Sequence, residues 1–141
     1  TTERINWLSN AVDAVKDCNI TFLDPDNGLE IKSVPGINQK KSGKFAYYFE
    51  VRELFKNKDA CVIYHHLNMN EPHESQIKFR AAELKAKIAQ DGSVFGIRYS
   101  PYSPRAFFIC TTEEQAKIIK KKLNSYLNSS CSFGWDTYFE I

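Results

Sequence analysis

Two aspartates follow a short apolar run in the segment TFLDPDNGLE, residues 21–30. Carboxylates at the end of a buried strand can orient an amine, accept a proton or hold a divalent cation. Turns select the same residue types, because proline fixes φ and an Asn-Gly pair accepts left-handed backbone. The segment is therefore either a site centred on Asp24 and Asp26 or a structural turn.

A pair of histidines closes a second apolar run, residues 60–67. Alternate residues of a strand face opposite ways, so His65 and His66 cannot both face one pocket unless the strand has already ended. Together with Asp24 and Asp26, His66 completes the predicted catalytic set. In an alternative interpretation the same three side chains bind Mg²⁺ or Mn²⁺, and in another the histidine is structural.

Basic residues follow the first segment and flank a later one. The loop KKSGK, residues 40–44, either folds back over the DPDNG segment and contacts phosphate, or it is a plain solvated run of charges. The segment SPYSPR, residues 100–105, has an arginine at its end and another two residues before it. The predicted substrate-binding residues are Asn27, Lys41, Ser42, Lys44, Arg98 and Arg105.

Helical and strand patterns alternate along the chain, which favours an α/β fold. Apolar spacing predicts helices over 4–17, 45–57, 74–90 and 111–128, and strands over 20–23, 60–67, 94–99, 106–110 and 135–141. We expect one domain, residues 1–141, with a three-layer Rossmann-like mixed sheet, mostly parallel, and an antiparallel hairpin of the third and fourth strands at its edge. Ligands of such sheets sit at the carboxyl ends of the parallel strands, after Leu23 and after Tyr64.

Composition limits the partners. The net charge is only +2, so a strong sequence-independent hold on nucleic acid is not required, although local basic patches remain open. No apolar stretch approaches the roughly 20 residues of a membrane span, so we expect a soluble cytoplasmic protein without a membrane partner. The four cysteines have no CxxC spacing and are expected to be buried free thiols. Oligomerisation is left open.

The order of strand, DPDNG, helix, strand ending in YHH, helix and two strands resembles the C-terminal half of a Rossmann-like S-adenosylmethionine-dependent methyltransferase. In the amino-methyltransferases the corresponding strand ends in D-P-P-Y or N-P-P-Y, which holds the target amine. FLDPDNGLE, KKSGK and VIYHH also resemble a group of uncharacterised bacterial and phage proteins. The resemblance implies that Asp24 orients the acceptor, Asp26 and Asn27 shape its pocket, and Lys41 and Lys44 contact phosphate.

The sequence differs from that family in two respects. DPDNG has no aromatic residue to stack on a methyl-accepting base, and the chain has six glycines without a GxG cofactor turn. Either the cofactor-binding half belongs to a longer chain of which this is a part, or this protein uses a shortened version of the sheet for another function. The resemblance implies a methyltransferase-like domain that acts on or binds nucleic acid, and it leaves S-adenosylmethionine open as the cofactor, without a cofactor-binding motif in this chain. The alternatives are a divalent-metal nuclease or phosphohydrolase and a non-catalytic binding or assembly domain.

Overall fold

Four α-helices and seven strands lie along the 141 residues, all of which are described by a computed structural model. No helix of the chain combines the length and the apolar composition of a membrane span. The helices are α1 (Thr2–Ala14), α2 (Tyr48–Phe55), α3 (His73–Lys87) and α4 (Glu113–Leu127). The strands are β1 (Ile20–Leu23), β2 (Gly28–Leu29), β3 (Phe45–Ala46), β4 (Ala60–His66), β5 (Ser93–Tyr99), β6 (Arg105–Thr111) and β7 (Trp135–Glu140).

Five strands form the main sheet in the order β1-β4-β6-β5-β7, and β2 pairs with β3 in a separate parallel ribbon. In the main sheet only β1 and β4 are parallel neighbours, whereas β4–β6, β5–β6 and β5–β7 are antiparallel. The α/β class and the mixed sheet are confirmed, but the prediction of a mostly parallel sheet is wrong. The β5–β6 hairpin is also not at the edge, because β6 inserts beside β4 and β7 covers the outer side of β5.

The two faces of the sheet are covered unequally. Along β4, Cys61, Ile63 and His65 are buried on one face, while Tyr64 and His66 face the other. Helices α2 and α3 pack on the first face, with α1 beside α2. We call the second face the open face, because α4 is its only helix and none of the residues of α4 is buried.

Helix α4 contacts the open face at β6 and β7. Its Tyr126 ring lies 6.4 Å from that of Trp135 in β7, and the Nζ of Lys120 lies 3.0 Å from a carboxylate oxygen of Glu140. The helix begins where the sequence predicts, since the hydroxyl of Thr112 accepts a hydrogen bond from the backbone N–H of Gln115. The open face is therefore covered over β5, where Phe95 and Ile97 are buried, and exposed at β1, where Ile20 and Phe22 are 58% and 59% exposed.

The core lies between the first face and helices α2 and α3. Its fully buried members include Ile63, Phe108, Ile77, Leu84 and Val51. Strand β4 lies between β1 and β6, so both of its edges are hydrogen-bonded within the sheet. The four cysteines are free thiols as predicted, but two of them are exposed rather than buried. The buried pair is Cys61 and Cys110, and the exposed pair is Cys18 and Cys131.

A buried ion pair fixes α1 to the core. The guanidinium of Arg4 donates to both carboxylate oxygens of Glu50 at 2.5 and 2.9 Å, and Glu50 is only 2% exposed. Arg4 also donates to the backbone oxygens of Ser42 and Phe45. The hydrogen bond to Glu50 raises the pKa of Arg4 above its ordinary value. The segment before α2 is thus held between α1 and α2.

Candidate functional site

The DPDNG segment lies at the carboxyl end of β1, next to the end of β4. Asp24, Pro25, Asp26, Tyr64 and Arg105 line one open depression of about 480 Å³ there. Three predicted site residues, Asp24, Asp26 and Arg105, are therefore brought together from two segments of the chain, and Tyr64 of β4 joins them. We call this the rim depression.

The two aspartates differ in their partners. A carboxylate oxygen of Asp26 lies 3.0 Å from the Nζ of Lys44, and both side chains are largely exposed, so the pair contributes at most about 1 kcal/mol to stability. The backbone oxygen of Lys44 also accepts a hydrogen bond from the N–H of Asn27 at 2.8 Å. The basic loop therefore folds back onto the DPDNG segment. Asp24 is exposed and has no ion-pair or hydrogen-bond partner in the structure.

The two histidines have different environments. His65 is 6% exposed, and its Nδ1 accepts a hydrogen bond from the backbone N–H of Leu29 at 3.0 Å. Burial, aided by the charge of Arg80, lowers the pKa of His65 to about 3, so the ring is neutral. His66 is exposed, and its backbone N–H donates to the oxygen of Asn27. His65 is thus structural, and His66 is the exposed histidine of the pair.

The predicted metal ligands do not form a cluster. No group of three or more His, Cys, Asp or Glu side chains lies close enough together to hold a metal ion. Asp24, Asp26 and His66 are therefore not arranged as a three-ligand site in this structure. His66 is also absent from the lining of the rim depression.

Two residues of the basic loop lie apart from the depression. Ser42 is buried, and its hydroxyl donates to the backbone oxygen of Ile37 at 2.9 Å. Its own backbone oxygen accepts from Arg4, so its polar groups are used within the fold. Lys41 is exposed on the loop and makes no ion pair.

The two arginines lie on opposite faces of the sheet. Arg98 pairs with Asp136, with 2.6 Å between Nε and the carboxylate oxygen, and its Nη1 lies 3.1 Å from a ring nitrogen of His73 on α3. Arg105 is on the open face, where its guanidinium lies 4.8 Å above the ring of Tyr99. Of the two predicted arginines, only Arg105 reaches the rim depression.

A line of aromatic rings crosses the open face from the depression towards β7. Neighbouring ring centroids are 6.4 Å apart for Phe22 and Phe107, 5.7 Å for Tyr64 and Phe107, 5.5 Å for Phe107 and Trp135, and 5.0 Å for Trp135 and Tyr99. We call these five residues the aromatic row. Sequence reasoning missed it, although period-two alternation in β4 places Tyr64 on the face opposite His65.

The glycines give no cradle for S-adenosylmethionine. Glycines of a cofactor turn let the backbone approach the ligand closely. Here a Cβ atom at Gly28, Gly92, Gly96 or Gly134 would come within 3.0 Å of protein atoms, so those spaces are filled. The glycines with open surroundings, Gly36 and Gly43, lie in the loop before β3 and outside the main sheet. The residues present do not fit the glycine-rich turn of that cofactor.

Fold and site together describe an α/β domain with a mixed five-stranded sheet whose open rim carries a carboxylate, an aromatic ring and a guanidinium. Comparisons with protein-family models, with curated proteins and with solved structures found no significant match to this chain. The chemistry of the rim is therefore the basis for a functional proposal.

Proposed function

We propose that this domain binds nucleic acid at the rim depression, in the acceptor-holding role that the methyltransferase resemblance implies. The observation that carries the proposal is the convergence of Asp24, Tyr64 and Arg105 on one open depression. A nucleotide presents an amino group, a flat base and a phosphate. The three side chains are complementary to these groups in that order.

Asp24 supplies the hydrogen-bond acceptor. An ionised carboxylate only accepts hydrogen bonds, so it favours bases with an exocyclic amino group over thymine and uracil. The carboxylate lies where parallel strands end, which is the usual place for ligands of such sheets. Because it has no partner within the fold, ligand binding does not require an existing ion pair to break.

Tyr64 supplies the aromatic surface that the DPDNG segment lacks. Its ring is half-buried and meets the ring of Phe107 edge-on, at an interplanar angle of 75°. This contact positions the Tyr64 ring beside Asp24 before any ligand arrives. Stacking of a base on such a ring stabilises a complex by about 1 to 3 kcal/mol.

Arg105 supplies the cation. Its guanidinium donates to the backbone oxygen of Ser103 at 3.1 Å and lies over Tyr99, which leaves further N–H donors for a phosphate. Lys44 adds a second exposed cation near Asp26. With a net charge of +2 for the whole chain, the attraction to phosphate is local to this rim.

In its more specific form, the proposal is that the domain takes part in methyl transfer and has a Rossmann-like three-layer fold. The element order behind the resemblance is present from β1 to β6, and this supports it. S-adenosylmethionine would have to be held by residues other than the glycines, so no step here depends on it. Nucleic acid as the ligand and the unbridged thiols of Cys61 and Cys110 both favour a cytoplasmic location.

Binding of fluorescent 12-nucleotide single strands, measured by anisotropy, tests the proposal. We expect strands of adenine or cytosine to bind more tightly than strands of thymine. Asp24→Asn should remove that preference, because an amide can donate as well as accept, while the thermal midpoint stays unchanged or rises slightly. Asp91→Asn, an exposed aspartate after α3, is the matched control.

Arg105→Ala should weaken all strands and lower the dependence of log K on log salt by about 0.7, the contribution of one phosphate contact to a single strand. Arg52→Ala, an exposed arginine on α2, should leave both quantities unchanged. Absence of binding to every strand would refute the proposal. Calorimetry with Mg²⁺, Mn²⁺ and S-adenosylmethionine on the same sample tests the metal and methyl-transfer alternatives.

A further inference from the structure

We propose that the ligand is single-stranded nucleic acid and that bases next to the one held at Asp24 stack along the aromatic row. This inference rests on the proposed function and extends it from one nucleotide to a strand. From Tyr64 in the rim depression the row reaches Phe107, from which one branch leads to Phe22 on β1 and another to Trp135 on β7. A strand bound at the depression therefore has a path across the sheet.

The row is continuous and fixed by its own contacts. Each ring lies between 5.0 and 6.4 Å from its neighbour, centroid to centroid. The rings come from all five strands of the main sheet, so their spacing is set by the backbone pairing beneath them. A preformed surface of this kind binds bases without a cost of ordering its side chains.

The β1 end of the row is exposed. Phe22 is 59% exposed and its strand neighbour on the same face, Ile20, is 58% exposed. The aromatic contact of α4 is to Trp135, at the opposite end. Exposure of a large aromatic side chain on a sheet is unfavourable in isolation, and binding sites commonly retain such residues.

The charges on this face favour a nucleic acid strand over an apolar peptide. The open-face side chains of β1, β4 and β6 include the guanidinium of Arg105, the imidazole of His66 and no carboxylate, and the carboxylates of Asp24 and Asp26 lie just beyond β1 at the rim. The only acid on the part of the face formed by β7, Glu140, is paired with Lys120. Bases stack on flat rings regardless of their sequence, and nearby cations bind the phosphates between them. A duplex keeps its base faces stacked on each other, so it cannot use this surface.

Competition anisotropy with ligands of increasing length tests the inference. The probes are adenosine 5′-monophosphate, adenine strands of four and eight nucleotides, and an eight-base-pair duplex. We expect affinity to rise steeply from the monophosphate to the eight-nucleotide strand and the duplex to bind more weakly than that strand. Phe22→Ala should weaken binding of the eight-nucleotide strand by about 5- to 150-fold, the equivalent of one lost stacking contact. The same substitution should change the affinity for the monophosphate by no more than about two-fold.

Two variants make the result specific. Phe22→Trp should restore binding, because it keeps a flat ring at the same position. Phe79→Ala removes a phenylalanine of similar exposure, 56%, from α3 on the other side of the sheet, and should have no effect. Thermal midpoints of all variants are compared with that of the unmodified chain, and we expect Phe22→Ala not to lower it, since Phe22 is largely exposed.

The outcomes separate this inference from the proposed function. If the monophosphate binds through Asp24 and Arg105, but affinity is independent of length and of Phe22, the inference is wrong and the proposed function stands. If no ligand binds, both are wrong. If the protein sediments as a dimer that Phe22→Ala dissociates without any change in strand affinity, the row is a contact between copies, and the inference is again wrong.

Discussion

Lowering the pH from 7 to 5 should destabilise this protein through a single buried ring, His65. Burial and the nearby charge of Arg80 lower the folded-state pKa of His65 to about 3, from an ordinary value of 6.5. The unfolded chain therefore binds a proton at pH 5 that the folded chain excludes. The stabilisation is complete above pH 6.5 and is lost as the pH falls towards 3.

The size of the effect follows from the two pKa values. Linkage predicts a loss of about 2 kcal/mol of unfolding free energy between pH 7 and pH 5, close to the limit of about 1.4 kcal/mol for each pH unit. The carboxylates whose pKa values are lowered in the fold, Glu74, Glu83 and Asp136, lose their contributions mainly below pH 5. The hydrogen bond from Arg98 holds the pKa of Asp136 below its ordinary value of 3.8, so this residue loses its contribution only at lower pH.

Urea unfolding at pH 7, 6 and 5, followed by circular dichroism, measures the loss. His65→Asn keeps a hydrogen-bond acceptor for the N–H of Leu29 but cannot titrate, so the loss between pH 7 and pH 5 should shrink by about 2 kcal/mol even if the variant is less stable at pH 7. His66→Asn, at the exposed neighbour, removes only a smaller contribution to the lowered pKa of His65, so most of the loss should remain. Equal pH dependence in all three proteins would refute a buried neutral His65.

Two further substitutions test how the site is held. Gly28→Ala should lower the unfolding free energy by at least about 2 kcal/mol, because φ is +111° and the new Cβ atom would lie 2.3 Å from the Nδ1 of His65. The control Gly36→Ala, in open surroundings, should change the unfolding free energy by less than about 0.5 kcal/mol. Arg4→Met should lower it by about 3 kcal/mol, because the buried carboxylate of Glu50 loses its partner, whereas Arg52→Met should have little effect. Urea midpoints measure both pairs, and equal midpoints within either pair would contradict the corresponding contact.

Local sequence patterns predicted the elements of this fold well. The strand over 20–23 has the predicted bounds, and the other strands of the main sheet and the helices α1, α3 and α4 lie within three residues of them. These elements have clear apolar periodicity and clear boundaries, such as the Thr112 cap of α4. Helix α2 begins three residues later than predicted, because Phe45 and Ala46 pair with Gly28 and Leu29 instead.

Strand order was not available from local patterns. A strand and a helix in alternation suggest parallel neighbours, yet the strand that pairs beside β4 is β6, which arrives through a hairpin and runs antiparallel. Nothing in the sequence of β6 records which strand it will join, since both of its neighbours are apolar. The same non-local pairing places Arg105 opposite His66 and brings it to the rim, while Arg98 faces α3.

Most residues of the DPDNG segment make contacts within the fold, whereas the carboxylate of Asp24 makes none. Gly28 fits against His65 with a backbone that other residues rarely adopt, Asn27 bonds through its backbone to Lys44 and His66, and Asp26 pairs with Lys44. Each of these contacts is what a turn requires. Asp24 has none of them, so the turn would form without its carboxylate. A charged group that the fold does not use, placed beside Tyr64 and Arg105 in an open depression, is the feature that a structural turn alone does not explain.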